Sequence, residues 1–251
     1  MNRRRVIMIT AIAAVLIMMT ALSSCSQITG GAGKASENIK VVYEGYEAAD
    51  SSLEKPDGTL VECRTYCFIF ENVSDKDLKK AGVHVSGLNE SGEQLASEYG
   101  GSYQLPSLRP GERSAVEVLE AEWTEFPASF SADVSGAVWG ESKRPRLSVT
   151  DVKYGEYGFT CDVTIKNDSD EDFVWVNEAS DEDLSDVKWI PSLKAVDKDE
   201  DGNVRSIDTG ILMDGDDLSH ESISFAPGEE KTLSFCFTES YQEPEVMICW
   251  R

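Results

Sequence analysis

Apolar and polar residues alternate with a period of two through most of the chain beyond residue 38, and Gly, Pro, Asn or Asp breaks the alternation at intervals of roughly 8–12 residues. The clearest runs are Ile39-Lys40-Val41-Val42-Tyr43, Cys161-Asp162-Val163-Thr164-Ile165 and Leu233-Ser234-Phe235-Cys236-Phe237, and Tyr66-Cys67-Phe68-Ile69-Phe70 reads as a further strand. Successive residues of a strand face opposite sides, so each run predicts a strand with one face in a core. Long segments with a 3.6-residue period are lacking. The expected fold class is all-β, with Phe68, Phe70, Val163, Ile165, Phe235 and Phe237 pointing inward.

Turn motifs recur in the same order twice. A strand ends in Asn72-Val73-Ser74-Asp75 and again in Asn167-Asp168-Ser169-Asp170. A polar hairpin tip follows, Asn89-Glu90-Ser91-Gly92 and then Asp199-Glu200-Asp201-Gly202. Next comes Pro110-Gly111-Glu112, matched by Pro227-Gly228-Glu229, each feeding another alternating strand. Each unit closes with a Pro, a short strand and a Trp, Pro127 to Trp139 and Pro244 to Trp250. The pattern predicts two related units, 39–139 and 147–251, joined by a polar linker at 140–146.

The order of elements resembles the small immunoglobulin-like modules, of the FxLYD or telokin-like kind, that recur in surface lipoproteins of Gram-positive bacteria. Those modules share the strand ending in Asn-x-Ser, the Asp/Gly-tipped hairpin and the Pro-Gly-Glu turn. The resemblance implies two tandem immunoglobulin-like β-sandwiches that bind or space at a cell surface and seldom catalyse.

The N-terminus has a different character. Arg3, Arg4 and Arg5 precede an uncharged run, Val6–Ala21, which is shorter than the roughly 20 apolar residues a spanning helix needs. That length suits the core of an export signal. Leu22-Ser23-Ser24-Cys25 then resembles the lipobox of bacterial lipoproteins. The resemblance implies cleavage of a signal peptide at 1–24, a diacylglyceryl thioether on Cys25, and further palmitate-type acylation of the new amino terminus. Two acyl chains give stable anchoring where one holds only reversibly. The expected location is the extracytoplasmic face of the cell membrane. Gly30, Gly31 and Gly33 mark 25–38 as the lipidated Cys and a flexible tether, with an r.m.s. span of about 20 Å.

Charge narrows the partners. The 251 residues hold 46 acidic and 23 basic side chains, a formal net charge of −23. Such a surface repels phosphate backbones, so nucleic acid is an unfavourable partner, and it attracts cations or basic proteins. With 41% hydrophobic and 9% aromatic residues the chain can fill a core.

The sharpest local pattern is Asp197 to Asp208. Asp197, Asp199 and Asp201 stand at positions 1, 3 and 5, Gly202 at 6, Asn203 at 7 and Asp208 at 12, the spacing of an EF-hand calcium loop. Calcium needs several hard oxygens around one point, which alternate carboxylates on a tight turn supply. The competing reading is an acidic hairpin turn, because the flanks read as strands and the twelfth position lacks the bidentate Glu. The acidic residues Glu178, Asp181, Glu182, Asp183 and Asp186, followed by Asp214, Asp216 and Asp217, form a second cluster that offers a docking face or simple solvation. Trp175 and Trp189 bracket it as core residues or as stacking surfaces for a sugar or peptide.

Catalysis has little footing. His84 and His220 are the two histidines, and neither G-x-S-x-G nor H-E-x-x-H is present. Five cysteines follow Cys25, namely Cys63, Cys67, Cys161, Cys236 and Cys249. Cys63 and Cys67 are too far apart along one strand to bridge, and Cys161 has Cys236 or Cys249 as candidate partners. The expected function is a membrane-anchored, non-catalytic binding or spacer lipoprotein that meets a protein or glycan outside the cell and needs no cofactor. The alternatives are a calcium-stabilised structural module and a cell-wall-acting enzyme.

Overall fold

The computed structural model describes residues 37–47, 51–54, 58, 60–97, 99–121, 126–176, 189–214, 217–218, 222–238 and 240–250. Cys25, the signal peptide, most of the tether, the acidic stretch 178–186, Asp216 and His220 lie outside them.

The first half contains β1 (Ile39–Tyr46), β2 (Ser51–Glu54), β3 (Leu60–Asn72), β4 (Leu78–Leu88), β5 (Gly100–Leu105), β6 (Arg113–Ala121) and β7 (Ser129–Trp139). The second contains β8 (Leu147–Tyr154), β9 (Thr160–Asn167), β10 (Phe173–Trp175), β11 (Pro191–Lys198), β12 (Val204–Asp214), β13 (Asp217–Leu218), β14 (Ile223–Phe225), β15 (Glu230–Cys236) and β16 (Glu245–Trp250). The described residues are thus all-β, and every strand pairing is antiparallel.

In the first half β3 pairs with β1, β2 and β6, and β4 pairs with β5 and β7. The two sheets face each other across one core that includes Phe68, Phe70, Val83, Val85, Leu105 and Phe130. The second half repeats the order β8-β9-β15 and β12-β11-β16, but as one path. Its β12 pairs β11 as far as Gly210 and then β15 from Ile211 to Met213. The terminal strands of the path, β8 and β16, lie against each other, so the sheet is nearly closed. The first half escapes this joining because Pro106 follows β5 and has no N–H to extend a ladder.

Shared chemistry at the turns explains the shared topology. Asn72 and Asn167 are fully buried. Asn72 Nδ2 donates to the carbonyls of Lys76 and Leu108, and Asn167 Nδ2 donates to those of Glu171 and Phe225. Each Oδ1 accepts the N–H of the Ser two residues on. The backbone carbonyls of Asn72 and Asn167 accept from Gly111 and Gly228, both at positive φ (77° and 75°), which is why the Pro-Gly-Glu turn needs its Gly. Glu112 and Glu229 carboxylates each take the N–H three residues back. Even the register slip recurs, between Val41 and Tyr43 in β1 and between Val149 and Asp151 in β8.

The halves do not behave as separate beads. A third apolar cluster joins Cys67 and Ile69 of β3 to Val196, Val204, Ile207, Met247 and Cys249 of the second half, with Val42, Tyr43 and Ala115 packed against it. Phe68 and Phe70 fill one face of β3 and Cys67 and Ile69 the other, and all four are 0% exposed. A strand covered on both faces carries a continuous apolar run instead of alternation, and Cys67-Phe68-Ile69-Phe70 is one. The backbones approach closely here, since a Cβ on Gly45 would stand 2.4 Å from the Val204 carbonyl oxygen.

Charged groups surround this joint core. Arg113 binds Glu71 (2.7 Å) and Glu245, Lys198 binds Glu245 (2.5 Å), and both cations sit over the Tyr43 ring. Burial alone would raise the Glu245 carboxyl, but the Lys198 hydrogen bond and the Arg113 charge outweigh it and hold it below its ordinary 4.5. A lowered folded-state value means stability that is present above the unfolded value and lost as pH falls through the folded one. Glu245→Gln should therefore be less stable than the parent at neutral pH, and the gap should close below about pH 4.5. Urea midpoints of the two proteins measured across that range test this, and a gap independent of pH would contradict it.

Residues 140–146 are held against the first half. Ser142 N–H donates to Asp77 Oδ2 (2.8 Å), and Arg109 donates to the carbonyls of Arg144 and Pro145. The Arg144 side chain is 1% exposed, paired with Glu112 and stacked 4.5 Å over the Trp250 ring. Burial brings its guanidinium down to about 10, against the pull of Glu112.

Candidate functional site

The Asp197–Asp208 segment is a β-hairpin whose carboxylates have separate tasks. Asp199 Oδ1 accepts the N–H groups of Asp201 (2.9 Å) and Asn203 (2.8 Å), and Oδ2 accepts Asn203 Nδ2 (2.8 Å). These hydrogen bonds, that of the Asn203 side chain foremost, lower the Asp199 pKa. Asn89 performs the same turn in the first half, accepting from Ser91 and Glu93. Asp208 Oδ2 accepts from the Thr238 N–H and Oγ (2.7 Å each), and Asp197 faces Arg205 at 3.9 Å. The hairpin thus gives residues 197, 199 and 208 separate partners, where an EF-hand loop would wrap them about one point. Among the described residues no group of three or more His, Cys, Asp or Glu side chains is placed to hold a metal ion.

The remaining candidates are dispersed. His84 is exposed on β4, with Nδ1 3.4 Å from Ser102 Oγ. Trp175 is buried in the second core beside Phe235. Among the described residues the cysteines form no disulfide. Cys161 lies opposite Phe235 and Cys236 opposite Thr160, so Cys161 and Cys236 point to opposite faces of one sheet. Cys161 belongs to the second core and Cys249 to the joint core, so that pairing does not form either. Burial, with Asp162 adding to it, pushes the Cys161 thiol up to about 12, which leaves it protonated and unreactive.

A cleft between the halves gathers what these candidates do not. Its volume is about 550 Å³, within the 300–1,000 Å³ typical of ligand pockets. The floor is β6, which among the described strands pairs with β3, and it presents Ser114, Ala115 and Glu117. Lys79 and Lys80 on β4, Gln104 and Leu105 at the end of β5, and Pro106 and Ser107 after it form one wall. Trp189, Ser192, Lys194, Cys249 and Trp250 of the second half form the other. Lys194 reaches across to Glu117 at 2.6 Å and ties the walls together.

Among the described residues, three cations and one carboxylate line the cleft. Glu117 is engaged by Lys194, while Lys79 and Lys80 are exposed. Of the two tryptophans, Trp250 carries Arg144 on its ring, while Trp189 is half-buried and packs against the second core. Hydroxyls at Ser107, Ser114 and Ser192 and the amide of Gln104 add uncharged hydrogen-bonding groups. Sequence reading had singled out Trp189 but not the lysines. A Lys79-Lys80 pair in an acidic chain was the visible signal, and its meaning depended on how the halves pack. No protein-family model matches the chain, and no curated protein matches it.

Proposed function

We propose that this chain is a lipid-anchored, non-catalytic binding protein of the outer face of the cell membrane, and that its ligand occupies the cleft between the two halves. In this reading both halves are immunoglobulin-like sandwiches from one duplicated unit, the second joined edge to edge by its longer β12. The observation that carries the ligand site is the convergence of Lys79, Lys80, Lys194 and Trp189 from both halves on one cavity. A cavity whose walls come from two packed repeats is pre-formed, and pre-formed sites bind without the cost of ordering loops. The lipobox Leu22-Ser23-Ser24-Cys25 and the basic, apolar leader before it support the anchor.

Two measurements test the two halves of this proposal. Mass spectrometry of the native protein should find Cys25 as the amino-terminal residue carrying a diacylglyceryl thioether, and an unmodified Cys25 with the leader still attached would refute the anchor. The lipidated full chain, in a polyoxyethylene detergent, is screened against immobilised glycans and peptides. Binding that survives Trp189→Ala unaltered would place the ligand elsewhere.

A further inference from the structure

We infer that the tip of the β8–β9 hairpin, Tyr157-Gly158-Phe159, is a docking surface for a basic polypeptide whose arginine side chains stack on the two aromatic rings. Tyr157 is 75% exposed and Phe159 47%, and no other Tyr, Phe or Trp among the described residues is left exposed. A single exposed ring is ordinary on a protein surface. These two stand within three residues of each other on a turn whose backbone is fixed. The carbonyl of Tyr157 accepts from Ser240 Oγ (2.6 Å), that of Gly158 from the Tyr241 N–H (3.1 Å) and that of Phe159 from the Phe237 N–H (2.8 Å). Gly158 sits at φ 73°, and a Cβ there would stand 2.2 Å from the Tyr241 carbonyl oxygen, so the turn is pressed directly onto the segment after β15. That segment sends Phe237 and Tyr241 into the second core, edge to face at 5.8 Å. The fold therefore buries two rings at this end of the second half and holds two outside. Glu243, on the same segment, has φ 54° and is the one non-glycine residue at positive φ among those described, and strain of this kind collects at binding sites.

Charge selects the partner. Counted over the whole sequence, 151–162 and 238–243 hold the acids Asp151, Glu156, Asp162, Glu239 and Glu243 against one base, Lys153, and the chain as a whole carries −23. Lys153 is itself 3.5 Å from Asp151. Such a surface steers a basic partner inward and repels phosphates and acidic glycans. An arginine guanidinium is flat, lies on the face of a Tyr or Phe ring and is attracted by its π electrons, as Arg113 is over Tyr43 within this chain. Rings held in place before binding lose little freedom when a partner arrives. Small cations are instead taken up in concave aromatic sites, whereas rings this exposed meet a surface. None of these residues lines the cleft between the halves, so the two sites can fail independently.

Binding of the lipidated full chain, in polyoxyethylene detergent, is measured by fluorescence anisotropy with labelled peptides of matched length that alternate Gly with Arg, with Lys or with Glu. The Arg peptide should bind more tightly than the Lys peptide, because the flat guanidinium stacks, and the Glu peptide should not bind. Tyr157→Ala with Phe159→Ala should weaken the Arg peptide about ten-fold and change thermal stability little, because both side chains are exposed. Tyr157→Leu with Phe159→Leu keeps apolar area, removes the ring faces and should weaken the Arg peptide as much. Arg-peptide binding unaltered in both double variants would overturn the docking surface, since attraction to the net charge alone would then suffice. Equal affinity for Arg and Lys peptides, or Leu variants that bind as the parent does, would overturn the stacking. Ring-dependent binding of a neutral polysaccharide, with no peptide bound, would overturn the basic partner.

Discussion

Ile69→Ala should lower the stability of the whole chain by about 2–5 kcal/mol, read from chemical denaturation, because it empties a fully buried position in the core shared by the two halves. If the halves were independent beads on a linker, Ile69 would lie on the outer face of its sheet. The same change would then fall within about 0.5 kcal/mol, as surface substitutions do. The contrast with Phe68→Ala sharpens the test. Phe68 belongs to the first half's own core, so its removal costs about 3–5 kcal/mol in either arrangement. A near-neutral Ile69→Ala beside a costly Phe68→Ala would mean that the halves are not joined through β3.

Asn72→Ala should cost about 3 kcal/mol, and Asn167→Ala a similar amount. Neither side chain is exposed, and each satisfies two backbone carbonyls and one backbone N–H that no water reaches easily. The Asp variants should be worse than the Ala variants although nearly isosteric. A carboxylate cannot donate, so Asn72→Asp would set a buried negative charge against the carbonyl oxygens of Lys76 and Leu108. Asp variants as stable as the parent would show that the donated hydrogen bonds contribute nothing.

The turns were legible in the sequence because their chemistry is local. Asn with the Ser two residues on, and Glu with the N–H three residues back, satisfy each other locally, so the repeat showed itself in the sequence, although the bonds from Asn72 and Asn167 to the segments around the Pro-Gly-Glu turns span many residues. Alternation likewise located Phe68, Phe70, Val163 and Ile165 in the cores. The joint core was harder to foresee. It uses the outer faces of strands, and its one trace was the unbroken run Cys67-Phe68-Ile69-Phe70. The tyrosines that close each unit, Tyr46 and Tyr154, donate to the carbonyls of Pro127 and Pro244 and were likewise missed, since a Tyr-to-Pro contact across 81 or 90 residues has no local signature. The calcium pattern looked sharp because spacing alone ignores backbone shape. Asp197 and Asp208 are extended strand residues, opposite Ser206 and Ala195. The cleft was illegible for a similar reason, as Lys79 and Lys194 meet only after the halves have docked.

Lys143, Arg144 and Arg146, spread along the connection between the halves, read in isolation as an invitation to a trypsin-like protease. The clamp on this segment withdraws the invitation. A protease must draw several residues of extended backbone into its own cleft, and here that backbone is pinned at Ser142, Arg144 and Pro145, with the Arg144 side chain sealed beneath Trp250. Digestion would therefore have to wait for the two halves to come apart, so the resistance of the protein to being cut in two is set by how seldom its shared core opens.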